Sequence, residues 1–568
     1  MREPQRWDEA AQRYRAIAAP NMIEQADQES PARGGGLHPW FLDARERRFE
    51  GRSLVREHPW TDGNHVEPLI HGDTYFARLA AELESLEPGD LLCLADWRGD
   101  DDEKLTDAGP TLAVMLTELA RRGVDVRGLL WRSHPKGLGF NEEEETELAG
   151  IVSAAGGTVL LDERVRRAGS HHQKLVVVHR PGHPDADVAF IGGIDLCHGR
   201  RDDALHLGDQ QAEHLDRRYG DRAPWHDVQA MVAGPAVAQL LETFRERWND
   251  PTPLERRSSP LGRIRMHVER EQTVPDPIPP PGRAPVARGD HAVQVLRTYP
   301  ARRPGYPFAP KGERTIAAFY RKAFARATSL LYIEDQYFWS REVGEALAVA
   351  LRRNRDLRVI VVVPRLPDRD GVITGPAHRI GQHRTVTMVR EAGGERVAVY
   401  DIENERGTPI YVHAKVVVID DEVALLGSDN LNRRSWTHDS ELSIAVFDEA
   451  RDGRAPSDPG GRGTGARRFA RSLRLDLEQE HLGGAGDVDP APLATFERWR
   501  ERARSLDGWY AGGRLGPRPP GRVRPHRLEP VAWWQWPYAV PLYRLLIDPD
   551  GRPRAARGST RSVPAIGS

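Results

Sequence analysis

The sequence predicts an α/β fold built twice. Each half is an α/β sandwich, a mixed, mainly parallel sheet flanked by helices, and a pseudo-twofold axis relates the halves with a site between them. Three observations predict it. Amphipathic helices and short buried strands alternate over residues 61–250 and again over 290–485. The two runs can be written over each other in the same element order: HHQKLVVV against VHAKVVVI, DVRGLLW against DLRVIVVV, WHDVQAMV against SELSIAVF. One short pattern also recurs at the same place in each run. SHHQKLVVVH carries His172 and Lys174, and YVHAKVVVIDD carries His413 and Lys415.

Taken in order, residues 1–60 are polar with a Gly-rich break and read as a flexible N-terminal arm. The first half then runs from strand HVEPLI into an amphipathic helix, Tyr75 to Leu86, and on to the buried strand LLCLADW. GPTLAVMLTELARRGVDVRGLLW is helix then strand, with Gly123 placed as the helix stop. EEEETELAGIVSAAGGTVLL repeats the unit, and its run Glu142 to Glu145 reads as a solvated helix face. Residues 251–289 form a Pro-rich linker. The second half, 290–485, repeats the plan, with LLYIEDQYFW as its first buried strand. Residues 486–550 are a C-terminal extension whose Trp533, Trp534 and Trp536 are expected to pack on the core, and 551–568 read as a disordered tail.

Composition narrows the function classes. The chain has 568 residues, with 81 basic and 84 acidic side chains and a net charge of −3, so recognition of a charged partner must be local. No basic, aromatic-interleaved stretch suggests nucleic acid, and none is expected as a partner. Two cysteines, Cys93 and Cys197, make no disulfide framework and suit a reducing compartment. The charged N-terminus lacks the apolar segment of a secretory signal. No run approaches the roughly 20 apolar residues of a membrane helix. A cytoplasmic monomer, able to meet membranes peripherally, is the expectation. Nothing in the sequence has the spacing of a metal cluster, a P-loop or a dinucleotide fingerprint.

The repeated pattern carries the chemistry. In extended chain, residues i and i+2 face the same way, so each copy presents an imidazole beside an ammonium. Each copy is followed by a hairpin and a polar turn, Gly192 to Asp195 in the first and Gly427 to Asn430 in the second. Two such pairs brought together form a phosphate site with two histidines for nucleophilic and acid–base work.

HHQKLVVV, AFIGGIDLCHGRRDD, PWHDVQAMVAGPAV, YIEDQYF, YVHAKVVVIDDEVALLGSDNLNRRS and the acid before LSIAV resemble the phospholipase D superfamily. They are most similar to the plant-type, eukaryotic catalytic region, over roughly residues 64–450. The resemblance implies hydrolysis of phospholipid headgroup esters through a phosphohistidine, with transphosphatidylation when an alcohol competes with water. It implies His172 as nucleophile and His413 as general acid and then base. Lys174 and Lys415 would hold the non-bridging oxygens, with Ser428, Asn430 and Asp195 assisting. By resemblance and strand-start position, Asp227 would orient His172 and Glu441 would orient His413. Gln336, at a strand end with Glu334 and Asp335, is a candidate headgroup contact. No cofactor is expected, and calcium dependence is not readable.

The sequence departs from the family pattern at His179, where the first copy lacks the Asp that Asp420 supplies in the second. A local structural adjustment with retained activity is expected. His171 faces away from the site and reads as structural. A phosphatidyltransferase of the cardiolipin-synthase kind and a nucleic-acid phosphodiesterase are the competing enzyme readings. A non-catalytic scaffold is disfavoured because both His–Lys pairs are intact.

Overall fold

The structure is a computed structural model. It describes residues 38–49, 59–132, 142–212, 215–254, 276–282, 285–367, 374–483 and 491–553. In the first half the strands are β1 (Thr61–Ile70), β2 (Leu91–Asp96), β3 (Asp125–Trp131), β4 (Thr158–Asp162), β5 (Leu175–His179), β6 (Val188–Gly192), β7 (Trp225–His226) and β8 (Val228–Ala233). The second half contributes β9 (His291–Tyr299), β10 (Glu313–Arg314), β11 (Leu330–Glu334), β12 (Arg358–Val362), β13 (Val397–Ile402), β14 (Tyr411–Val412), β15 (Val416–Ile419), β16 (Val423–Gly427) and β17 (Glu441–Asp448). The C-terminal extension adds β18 (Val523–Pro525).

The spatial order is β4-β3-β2-β5-β6-β8-β1 in the first half and β13-β12-β11-β15-β16-β17-β9 in the second. Each order is the counterpart of the other, strand for strand, which is the duplication. A short antiparallel contact between β1 and β9, at Thr61 with Val293 and Asn64 with His291, joins them into one sheet.

The sheet is mixed, but the expectation of mainly parallel pairing needs correction. Within the large sheet, parallel pairs are confined to β2-β3-β4 and β11-β12-β13. These are the strands linked by helical crossovers, such as the helices Leu112–Arg121 and Glu142–Ala154. Hairpins join β5 to β6 and β15 to β16, and hairpins enforce antiparallel pairing.

Both faces of the central strands are buried, which explains their unbroken apolar runs. Leu175 and Val177 face a central cluster shared by both halves, together with Val416, Val418, Leu442 and Ile444. Val176 and Val178 face the helices of the first half, and Val417 and Ile419 those of the second. The helix Gly72–Glu84 buries Tyr75, Phe76, Leu79, Ala80 and Leu83, one stripe of its surface. Truncating the fully buried Leu79 to Ala costs about 2–5 kcal/mol. Gly123 ends the helix Leu112–Arg121 at φ 92°, as its position predicts.

Three surface expectations change. Residues 38–49 are not a loose arm: Trp40, Phe41 and Leu42 are buried, and Arg47 donates to the Val295 carbonyl at 3.0 Å. Residues 1–37 lie outside the described residues. Glu145 is buried, not solvated, because its side of the helix Glu142–Ala154 also carries the core residues Leu148 and Val152. The extension does pack on the core through Phe496 and Trp499. Trp533, however, is 84% exposed and Trp534 57% exposed. Most of the linker and of the tail lies outside the described residues.

Candidate active site

Each His–Lys pair sits in extended chain just ahead of a strand, His172 and Lys174 before β5, His413 and Lys415 after β14 and before β15. What holds them is a pair of contacts between the halves. β14 runs parallel to β7, with Tyr411 opposite Trp225 and Val412 opposite His226. The His413 amide then donates to the His226 carbonyl at 2.8 Å. In the mirror position, His171 bridges Ser440 in parallel, and the His172 amide donates to the Ser440 carbonyl at 2.9 Å. Each motif therefore lies beside the segment of the other half that leads into its acid, Asp227 or Glu441.

This register crosses the acids. His172 Nδ1 is 3.0 Å from Glu441 Oε2 and 3.1 Å from the Ser428 carbonyl. His413 Nδ1 is 2.7 Å from Asp227 Oδ2. The pairing expected from the sequence, Asp227 with His172 and Glu441 with His413, is the reverse of the one found. Within a half, the acid follows its own histidine in sequence, but the strand contacts that place it belong to the opposite half. In both pairs Nδ1 is engaged, which leaves Nε2 for chemistry.

The remaining candidates differ in the partners they already hold. Lys174 Nζ lies 3.0 Å from Asp195 Oδ1 and donates to the His172 carbonyl at 3.2 Å. Lys415 donates to the His413 carbonyl and, at 3.3 Å, to Gln336 Oε1. Gln336 in turn donates to the Tyr411 hydroxyl at 2.8 Å, so it positions Lys415. Ser428 does not stand free for phosphate. Its hydroxyl donates to Glu441 Oε2 at 2.6 Å and accepts from the Leu442 amide. Asn430 is buried, and its Oδ1 has no hydrogen-bond partner among the described residues.

Several neighbours escaped the sequence reading. Ser435 donates to the other oxygen of Glu441 at 2.7 Å, and Trp225 Nε1 donates to Asp227 Oδ2 at 3.3 Å. The Trp225 ring also lies against His413, with centroids 4.8 Å apart, and Arg200 stacks over it at 4.0 Å. Trp97 faces both Lys174 and His172. Ser435, Arg200 and Trp225 all fall within the recognised motif stretches, which is the only signal that could have found them. Gly193 has a definite job: a Cβ there would lie 2.2 Å from Asp227 Oδ1, so only glycine lets that turn close on the acid.

Burial sets the electrostatics. It holds both imidazoles well below the usual histidine range, aided by Lys174 and Lys415 around His172 and by Lys415 and Arg200 around His413. It pushes the Glu441 carboxyl up to about 8, with Asp439 adding to the effect, and raises Asp227 as well. Each His–acid pair thus avoids two buried charges and keeps one proton between its members. Burial also brings Lys415 down to about 8. Asp195 is held below the usual carboxylate range: burial opposes this, but the Lys174 ammonium prevails. The resulting site sets two neutral imidazoles beside two buried lysines.

His171 is structural, as expected. It is fully buried, and its Nδ1 lies 2.6 Å from the Ser440 hydroxyl. His179 shows how the departure is accommodated. Asp420 in the second half accepts from the amides of Thr328, Ser329 and Leu330. His179 instead binds Asp187 of its own hairpin, at 2.6 Å.

Comparison with known proteins agrees with this geometry. The family described as phospholipase D matches residues 102–343, and the family described as cardiolipin synthase, PLD-like domain, matches residues 320–452. The chain belongs to the phospholipase D superfamily. It is 26% identical to phospholipase D alpha 2 of Oryza sativa subsp. japonica, over 73% of this chain and 63% of that protein. It is 27% identical to phospholipase D beta 1 of Arabidopsis thaliana, over 57% of this chain and 38% of that protein. The chain thus spans less than two thirds of the length of these relatives. Among solved structures, a phosphatidylserine synthase of Haemophilus influenzae Rd KW20 matches 71% of this chain and 86% of its own, at 15% identity and a TM-score of 0.46.

Proposed function

We propose that the protein is a phospholipase D-type phosphodiesterase that cleaves phospholipid headgroup esters to phosphatidate and an alcohol. The crossed arrangement carries the reading: two imidazoles, each tied through Nδ1 to a carboxylate from the opposite half, each beside its own lysine. Neutral His172 attacks phosphorus through Nε2 while the P–O bond to the headgroup breaks. His413, protonated in the bound complex, delivers its Nε2 proton to the departing alkoxide. His413 then takes a proton from water, the resulting hydroxide attacks phosphorus, and the P–N bond breaks to restore His172. An alcohol in place of water gives transphosphatidylation. Lys174 and Lys415 stabilise the charge that grows on the non-bridging oxygens, with Asn430 as a further donor. These steps need no cofactor, and a monomer contains all the groups.

A membrane surface as the place of action fits the extension. No helix among the described residues is long and apolar enough to cross a membrane. Segment 531–547, VAWWQWPYAVPLYRLLI, has no acidic residue and exposes Trp533, Trp534, Tyr538, Leu545 and Leu546. Arg384 lies over the Trp536 ring, and Arg544 is exposed beside the leucines. Arg434 links the Leu546 carbonyl to that of Ala168, four residues before His172, so this apolar face adjoins the approach to the site.

The match to a cardiolipin synthase-type domain favours one second reading, a phosphatidyltransferase that passes the lipid to an alcohol acceptor. Headgroup release from phosphatidylcholine, phosphatidylethanolamine and phosphatidylglycerol vesicles, beside a single-stranded DNA control, tests the proposal. Headgroup release in water supports the hydrolase. Turnover only with an added polyol favours the transferase, and cleavage of DNA without lipid turnover overturns both.

A further inference from the structure

A cleft opens on the His413 side of the site, beyond the carboxyl ends of β11 and β12, the end at which parallel strands hold ligands. Its walls are the segments that follow β11, β12 and β18 and one face of the helix Gly375–Gly393. Gln336 lines it, and the same side chain holds Lys415 at 3.3 Å and donates to Tyr411 at 2.8 Å. Leu366 lines it too, and packs in one cluster with Trp225 and Tyr411, the rings beside His413. The Tyr219 hydroxyl pins that wall by donating to the Leu366 carbonyl at 2.6 Å. In an in-line displacement the leaving and incoming alcohols stand opposite the nucleophile. With His172 as nucleophile, they lie on the His413 side, where this cleft begins.

The chemistry of the walls selects among alcohols. Two rings of the protein already stack on Trp339, Tyr337 at 3.9 Å and His378 at 4.8 Å, so the indole does not stand open to an ammonium group. The guanidinium groups of the walls are matched as well. Arg365 pairs with Asp401 at 2.6 Å and Glu403 at 3.0 Å, Arg379 with Glu529 at 3.3 Å, and Arg527 with Asp507 at 2.9 Å. Glu529, the acid on the wall, is also held by Arg218 at 3.0 Å. A charged headgroup of either sign would have to break one of these pairs. Neutral hydrogen-bonding capacity does remain. One end of the Gln382 side-chain amide meets His526 Nε2 at 3.2 Å, which leaves the other end for a ligand. The buried Trp339 Nε1 has no hydrogen-bond partner among the described residues. Hydroxyl groups, which both donate and accept, suit the two positions.

We propose that this cleft is the alcohol subsite and that it takes a neutral polyol, such as glycerol or an inositol ring, in preference to choline. This assignment rests on the phosphodiesterase reading above. A polyol headgroup leaves into the cleft carrying the proton from His413 Nε2. In the return step, a polyol seated there gives a hydroxyl proton to His413 Nε2. Its oxygen bonds to phosphorus while the P–N bond to His172 breaks. The product is the phosphatidyl ester of the polyol, with His172 neutral again and His413 protonated.

The nitrophenol ester of phosphatidate forms the same phosphatidyl enzyme whatever the acceptor. The full-length protein is therefore given that ester with equal concentrations of glycerol, choline and ethanol. Phosphatidylglycerol should exceed phosphatidylcholine about tenfold, the worth of one or two neutral hydrogen bonds. In Gln382→Leu the ratio of phosphatidylglycerol to phosphatidylethanol should fall about two- to tenfold, the loss of one such bond. His383→Ala, exposed one position further along the same helix, should leave the ratio unchanged. Both products come from one intermediate, so their ratio does not depend on how much of a variant folds. The assignment alone is overturned by nitrophenolate release that yields no phosphatidylglycerol, or by as much choline product as glycerol product. A ratio that Gln382→Leu leaves alone, or that His383→Ala lowers as far, overturns it too. Absence of nitrophenolate release overturns the phosphodiesterase reading and this assignment with it.

Discussion

Exchanging the two orienting acids for their amides separates the roles of the two histidines. In Glu441→Gln, either Oε2, which faces His172 and the Ser428 hydroxyl, or Oε1, which accepts from the Ser435 hydroxyl, becomes an NH2 group facing donors. Loss of a charge-assisted hydrogen bond of about 1.5–3 kcal/mol slows attack on phosphorus about 10- to 150-fold. In Asp227→Asn the 2.7 Å contact to His413 is lost, and with it proton delivery worth about 100- to 10,000-fold. A nitrophenol ester of phosphatidate distinguishes the two variants, because its leaving group departs without a proton. The pre-steady-state burst of nitrophenolate should recover to within about tenfold of wild type in Asp227→Asn. Glu441→Gln should keep its full deficit with either leaving group. Rescue of Glu441→Gln and not of Asp227→Asn would reverse the two roles, since Glu441 would then serve the proton carrier.

Three further outcomes follow from the same geometry. Because burial keeps His172 neutral to well below pH 6.5, the acid limb of kcat/KM should lie below that value. Lys415, brought down to about 8 by burial, should lose its charge above that pH, and kcat/KM should fall there with phosphodiester substrate. A profile flat from pH 7 to 10 would contradict this. Trp533→Ala with Trp534→Ala should weaken sedimentation with phosphatidylcholine vesicles at least about tenfold while hydrolysis of a soluble, short-chain substrate stays unchanged; equal loss on both would place the pair in the fold instead. His179→Asp should leave activity within about tenfold, that is about 1.4 kcal/mol of barrier. Its melting temperature should fall, because a second carboxylate would face Asp187 where the imbalance is buried.

The duplication, both His–Lys pairs and the two acids were legible because each leaves a local trace: an apolar run, a fixed spacing, a Gly turn. Partnership was not. Which acid reaches which histidine depends on β14 lying against β7 and Ser440 against His171, contacts between segments nearly 190 and 270 residues apart. Ser428 looked free for phosphate because its hydroxyl donation to Glu441 spans two strands. The parallel share of the sheet was overestimated because helix–strand alternation shows crossovers but hides the order in which strands pair. Trp533 and Trp534 read as core from composition alone, and only the fold shows their exposure.

A covalent step at His172 can be caught by acid trapping. Wild-type protein quenched during turnover of phosphatidylcholine labelled in its acyl chains should carry an acid-labile phosphatidyl group on the peptide containing His172. His413→Asn, which retains the nucleophile and lacks the proton carrier, should accumulate it from the nitrophenol ester. Label on the His413 peptide, or turnover with no labelled peptide at any quench time, would rule out His172 as the nucleophile.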